Sequence, residues 1–187
     1  MIDVYSRRIV GWEVHTEESS ELAASMMERA VAEAGYPMGL RTHSDNGPAM
    51  KGSTLLATLQ ALGVMPSFSR PSVSDDNPFP EALFRTLKYR PTFPDGSFSS
   101  LEKARAWVDR FVCWYNSEHR HSGIRFVTPD ERHFGREREL LARRHVLYER
   151  ARRRRPERWT GSTRNWDPAG PVRLSPERRV DPGKAAA

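Results

Sequence analysis

Short β-rich runs alternate with helical stretches along this chain, and glycines and prolines cut them apart. Ile2-Asp3-Val4-Tyr5-Ser6 alternates, Arg7-Arg8 turns the chain, and residues 9–15 read as a second strand. Two strands this close predict an antiparallel hairpin, and a strand at the second residue implies a chain that begins in mid-sheet. Residues 19–34 switch to helical spacing, with Leu22, Met26, Met27, Ala30 and Val31 on one face; Gly35 and Pro37 end the run. A short strand over 40–44 closes on the turn Asp45-Asn46-Gly47-Pro48. A helix over 51–62 and a strand over 64–68 follow. Residues 69–77 are polar and aperiodic, which reads as a mobile loop. Pro78 opens a helix that Pro91 ends, and residues 99–117 form a longer one. The order ββ-α-β-α-β-α-α predicts an α/β fold, a mixed sheet flanked by helices.

Charge is distributed unevenly along that framework. Residues 1–100 hold nine Lys and Arg against twelve Asp and Glu, whereas residues 101–187 hold 21 against 12. The second half therefore suits a polyanion. Residues 136–158 alone carry ten arginines and four acids. Two units are expected: a core over 1–132, then an arginine-rich helical segment and extended tail over 133–187, disordered from Asp181 to Ala187. Arg143, Arg144, Arg152, Arg153, Arg154 and Arg155 are the candidate phosphate contacts, the alternative being a solvated basic helix. No run approaches the roughly 18 apolar residues of a membrane span. The start lacks the order of a signal peptide. The single cysteine, Cys113, forms neither an internal disulfide nor a cysteine metal cage. A cytoplasmic, nucleoid-associated protein is the expectation.

Two carboxylates stand out. Asp45 lies where a strand meets a turn, beside His43, Asn46 and Gly47; Glu81 lies on a helix, with 35 residues between the two. Magnesium takes oxygen ligands and often uses one or two carboxylates plus water and phosphate. Asp-Asn-Gly is also an ordinary turn, and a helical glutamate is usually just solvated. His43 is placed to order a metal-bound water, or is a strand-end histidine with no such role. The spacing of Cys113, His119 and His121 fits no standard zinc site. Trp107, Trp114 and Tyr115 read as core rather than as base-stacking platforms.

The stretch His43-Ser44-Asp45-Asn46-Gly47, then Asp76-Asn77, Glu81 and Leu87-Lys88, resembles the second half of the Asp-Asp-Glu signature of retroviral-type integrases. It looks most like transposases of the IS3 group. Residues 2–12, Trp114-Tyr115-Asn116, His119-Arg120-His121 and Thr128-Pro129 match further segments of that family, so the resemblance covers about residues 1–132. Arg158-Trp159 through Trp166 resembles tails on some of these transposases. The resemblance implies a ribonuclease H-like fold and metal-dependent DNA transposition, with Mg2+ or Mn2+ as cofactor. It makes Asp45 and Glu81 the second and third catalytic carboxylates and Lys88 a DNA contact, with His43, Asn46 and Asn77 in support. Pro78-Phe79-Pro80 departs from the alanine and small spacer usual there, which leaves the loop shape open.

In that family the first carboxylate sits on the strand before the hairpin. That first strand would lie upstream of Met1, so it is expected to be missing, and activity and metal affinity are expected to be impaired. Asp3 belongs to the following strand and is expected to be structural. The implied partners are double-stranded DNA (transposon ends and target) and a second copy or full-length transposase. The alternative is a catalytically dead remnant that binds such DNA or such a transposase.

Overall fold

The computed structural model describes residues 1–70, 77–172 and 174. Asp76, most of the expected loop over 69–77, and the tail from Asp181 lie outside the described residues. No helix among the described residues is long and apolar enough to cross a membrane.

The first helix, α1 (Ser20–Glu33), starts where the Ser19 side chain accepts the Leu22 N–H. It buries Ala23, Ala24, Met27, Ala30 and Val31, the face set by its periodicity. Two short strands, β1 (Arg41–Ser44) and β2 (Met65–Phe68), pair in parallel from Arg41 opposite Met65 to Ser44 opposite Phe68. Between them run α2 (Pro48–Lys51) and α3 (Ser53–Ala61). The sequence predicts one helix there, and the structure breaks it at Gly52. The reason is proximity: a Cβ on Gly52 would fall far inside contact distance of the Ser20 Cβ. This close approach lets Leu55 and Leu59 meet Ala23, Ala24, Met27, Val31 and Val64 in a first core.

Next come α4 (Pro78–Lys88) and α5 (Leu101–Ser117), where Ser100 caps α5 by accepting the Lys103 N–H. Both pack on a second core built on Ile9, Trp107, Phe111 and Tyr115, with Leu83 and Leu87 of α4 against it. Trp107 and Phe111 stack at 5.5 Å, and Phe93 meets Trp107 edge-on at 5.3 Å. Such pairs each add about 0.5–1.5 kcal/mol beyond area burial. Trp107 and Tyr115 are buried and Trp114 packs beside them, the core role expected of all three.

A short 3-10 turn (Ser122–Ile124) leads to α6 (Pro129–His133), which opens with a capping box between Thr128 and Glu131. The basic helix α7 (Glu137–Arg154) and a second 3-10 turn (Pro156–Arg158) follow. The tail then folds back, and Trp166 joins Ile124, Val127 and Leu141 in a third core. The Arg132–Glu137 ion pair straddles the expected boundary between the two units. Its N–O distance is 3.0 Å, and both side chains are almost fully buried.

The predicted hairpin of two strands is reduced to one antiparallel bridge, Ile2 to Ile9. Two competitors explain the difference, one local and one distant in the chain. The Asp3 carboxylate accepts the N–H groups of Tyr5 and Ser6 and the Ser6 hydroxyl, which curls residues 3–7 into a turn ending at Arg7 with φ 69°. The Asn116 side chain then takes both backbone groups of Ile9, at 2.9 and 3.0 Å, in place of a neighbouring strand.

Candidate active site

Asp45 sits at the carboxyl end of β1, the edge of a parallel pair where α/β proteins commonly bind ligands. Its Oδ1 accepts the Gly47 N–H at 3.3 Å, closing the turn, and the side chain is exposed. Asn46 donates to the Ser69 carbonyl at 2.8 Å, which ties this turn to the chain leaving β2. His43 lies between the hydroxyls of Ser67 and Ser69, at 3.0 Å from Nδ1 and 3.4 Å from Nε2. The residues His43, Asp45 and Asn46 thus share one braced strand-end unit.

Sequence reasoning missed a further carboxylate. A Cβ placed on Gly47 would lie 3.3 Å from the Asp45 Oδ1 and 3.6 Å from the Glu18 Oε1. Glu18 therefore adds negative charge to the same turn. Glu18 sits in the segment before α1, with no motif to mark it, and only the close packing of α1 on the α2–α3 junction brings it near.

Glu81 stands exposed in the first turn of α4, and Lys88 stands exposed in the last turn. Asn77 precedes the helix with φ −132° and ψ 54° and makes no side-chain cap bond. The prolines are accommodated because the first turn of a helix needs no amide donors there. Phe79 in that turn carries the Arg7 guanidinium on its ring face at 3.8 Å, so the curled N-terminal segment braces the head of α4. Burial holds Arg7 below the ordinary arginine value. Its Nη1 and the Nε2 of His121 are buried without hydrogen-bond partners among the described residues.

Asp3 is spoken for. Burial alone would raise its carboxyl, but hydrogen bonds from Ser6, the Tyr5 N–H and His133 outweigh this and leave it below the usual carboxylate range. It is a loop-forming residue. The oxygen donors of Asp45 and Glu81 suit a hard divalent ion, and neither forms an ion pair among the described residues. No group of three or more His, Cys, Asp or Glu among the described residues is gathered to hold a metal.

The arginines of α7 differ in their surroundings. Arg144 donates to the carbonyls of Arg125 and Phe126, each at 3.0 Å, and lies over Trp166. Arg143 pairs with Glu139 on the exposed face, and Arg152 lies 3.9 Å from Glu149. Arg153, Arg154 and Arg155 are exposed.

Residues 1–74 match the integrase core domain family, and residues 62–129 match a second family of the same description. The transposase for insertion sequence element IS904 of Lactococcus lactis subsp. lactis (strain IL1403) is 30% identical over 131 residues, which are 70% of this chain and 51% of that protein. Transposase InsF for insertion sequence IS3A of Escherichia coli (strain K12) is 27% identical over 132 residues, 70% of this chain and 46% of that protein. The chain thus spans about half the length of the curated relatives it matches. The catalytic core domain of BIV integrase aligns with a TM-score of 0.46 and 22% identity, covering 68% of this chain and 79% of that one. The two family matches together span residues 1–129, and the chain belongs to the integrase core family, with about 70% of its length similar to transposases of the IS904 and IS3A elements.

Proposed function

We propose that this chain supplies Asp45 and Glu81 to a catalytic core for DNA transposition, a reaction that breaks and joins strands by metal-dependent phosphoryl transfer, and that its own activity is impaired, since no group of three such ligands is gathered among the described residues. The position of Asp45, at the carboxyl edge of the parallel strands within an integrase core match, carries this conclusion. Asp45 and Glu81 would hold Mg2+ or Mn2+. Such an ion, when bound, polarises a phosphodiester and lowers the pKa of an attacking water or 3′-hydroxyl. The chain's own residues do the positioning. Asn46 fixes the Asp45 turn, His43 orients polar groups beside it, and Asn77 shapes the entry to α4. Lys88, seven residues beyond Glu81 and so about 10 Å along the helix, holds a backbone phosphate. Arg143, Arg144, Arg152, Arg153, Arg154 and Arg155 supply basic charge along the duplex, with Arg144 also serving the fold. Double-stranded DNA is the substrate class, and a second copy or a full-length transposase is the partner.

Manganese binding tests this. Asp45→Asn and Glu81→Gln should each weaken Mn2+ binding several-fold; equal binding by both variants would overturn the site. Duplex affinity should fall steeply with salt. The Arg152→Gln/Arg153→Gln pair should flatten the log–log slope by about 0.9 for each phosphate it no longer neutralises. A salt-independent affinity would count against the basic surface.

A further inference from the structure

A basic recess of about 360 Å³ opens at the C-terminal end of α7, lined by Ala151, Arg154, Arg155, Arg158 and Trp159. Its origin is local. Pro156 disfavours helical geometry at the residue before it, and Arg155 leaves the helix at φ −142° and ψ 69°. The 3-10 turn that follows brings Arg158 and Trp159 back against the last turn of α7, with the Arg158 N–H on the Arg155 carbonyl at 3.2 Å.

The recess has a fixed floor. The half-buried Trp159 ring meets Tyr148 edge-on, with centroids 6.1 Å apart, and Tyr148 meets Trp166 at 4.9 Å. Trp166 is buried in the third core. Thr163 donates to Glu149 at 2.8 Å, which holds the tail between the two tryptophans against α7. Tail and helix together present an indole whose position is set by packing.

Charge in the recess is unbalanced. The guanidinium groups of Arg154, Arg155 and Arg158 make no hydrogen bond or ion pair with other described residues. Residues 150–158 hold six arginines and one acid, Glu157. The negative end of the α7 dipole amounts to about half a charge and offsets only part of three full ones. Guanidinium forks match phosphate oxygens, and an indole face accepts any nucleobase by stacking. Ligand pockets run from roughly 300 Å³ upward, so this one suits a single nucleotide. Bases inside a duplex have both faces covered by their neighbours; an unpaired one has a face to offer.

We propose that this recess is a subsite for one unpaired nucleotide of a DNA strand, its base lying on Trp159 and its flanking phosphates held by Arg154, Arg155 and Arg158. The subsite rests on the DNA reading above and adds to it a preference for strand ends or flaps over blunt duplex.

Fluorescence anisotropy on the full chain tests the subsite, with a blunt duplex and the same duplex carrying a short single-stranded overhang. The wild type should bind the overhang substrate roughly fivefold or more tightly, in line with the contribution of one stacked base. Trp159→Ala should abolish that preference and leave blunt-duplex affinity within about twofold, while Trp159→Phe keeps the preference. Circular dichroism melts establish that each variant is folded. A preference that survives Trp159→Ala overturns the subsite, as does one transferred to RNA of the same sequence. Blunt-duplex binding with no overhang preference sinks the subsite alone; binding to neither DNA sinks the transposase reading with it.

Discussion

His119 and His121 show how single side chains set a pH limit on this fold. Their rings lie 4.3 Å apart beside Tyr115, in a packed corner that also holds Arg7. Burial first, then the neighbouring His119 and Arg7, push His121 from 6.5 down to about 4. Burial and Arg90 lower His119 as well. Burial also pushes the Tyr115 hydroxyl up to about 12, so the corner is held neutral apart from arginine. The folded state prefers the uncharged ring. That stability is complete above pH 6.5 and is lost as pH falls from 6.5 towards 4. After allowance for solvent screening at a half-buried ring, the loss is roughly 1–2 kcal/mol. The loss of the Asp3 bonds is a separate event, because that carboxyl is held below 3.8 and its contribution fades only below that pH. Thermal melts should therefore give a Tm that is flat above pH 6.5 and declines below it. His121→Phe should flatten the decline, and an unchanged profile in that variant would refute the assignment.

Among the elements, the break between α2 and α3 matters most to the site. It lets α3 pack on α1, and that packing fixes the strand end bearing Asp45. Gly52 has φ −63°, so alanine could adopt its backbone conformation without strain. The obstacle is the Ser20 side chain. Gly52→Ala should destabilise the protein by roughly 1–3 kcal/mol, as overpacking does. Denaturant unfolding of Gly52→Ala and of the Ser20→Gly/Gly52→Ala pair distinguishes the causes, since the pair should recover most of the loss. Helices α1 and α5 were legible because their apolar periodicity and end signals agree, and α4 because its apolar spacing runs between Pro78 and Pro91, whereas α7 was expected from its charge alone as an arginine-rich helical segment. The break at Gly52 was not legible, because its cause lies 32 residues away in sequence.

Across the whole molecule, Arg132 is the tie. It is 1% exposed, donates to the Tyr5 carbonyl at 2.8 Å and to the carbonyls of Ala169 and Gly170, and pairs with Glu137. Its guanidinium also lies over the Tyr5 ring at 4.0 Å. One side chain thus joins the N-terminal turn, the start of α7 and the returning tail. Arg132→Met should cost roughly 3–5 kcal/mol, because it strands the buried Glu137 carboxylate. Adding Glu137→Leu should restore part of that in the same unfolding assay; no recovery would show that the carbonyl bonds, and not the ion pair, hold the tie. This connection also means that deleting residues 136–158 would damage the core, so charge substitutions are the sound test of DNA contacts.

The sequence by itself determined most of the helices, the two short strands over 40–44 and 64–68, and the chemical candidates Asp45 and Glu81. These depend on local periodicity, caps and turn residues, and on motifs readable along the chain. Only the tertiary structure decided that Ile9 pairs with the Asn116 side chain and not with a strand, that Glu18 approaches the Asp45 turn, and that Arg132 and Trp166 bind the tail to the core. The physical reason is common to all three. Backbone and buried polar groups take the best partner in space, and for Ile9 and Arg132 those partners, Asn116 and the carbonyls of Tyr5, Ala169 and Gly170, lie far away in the chain.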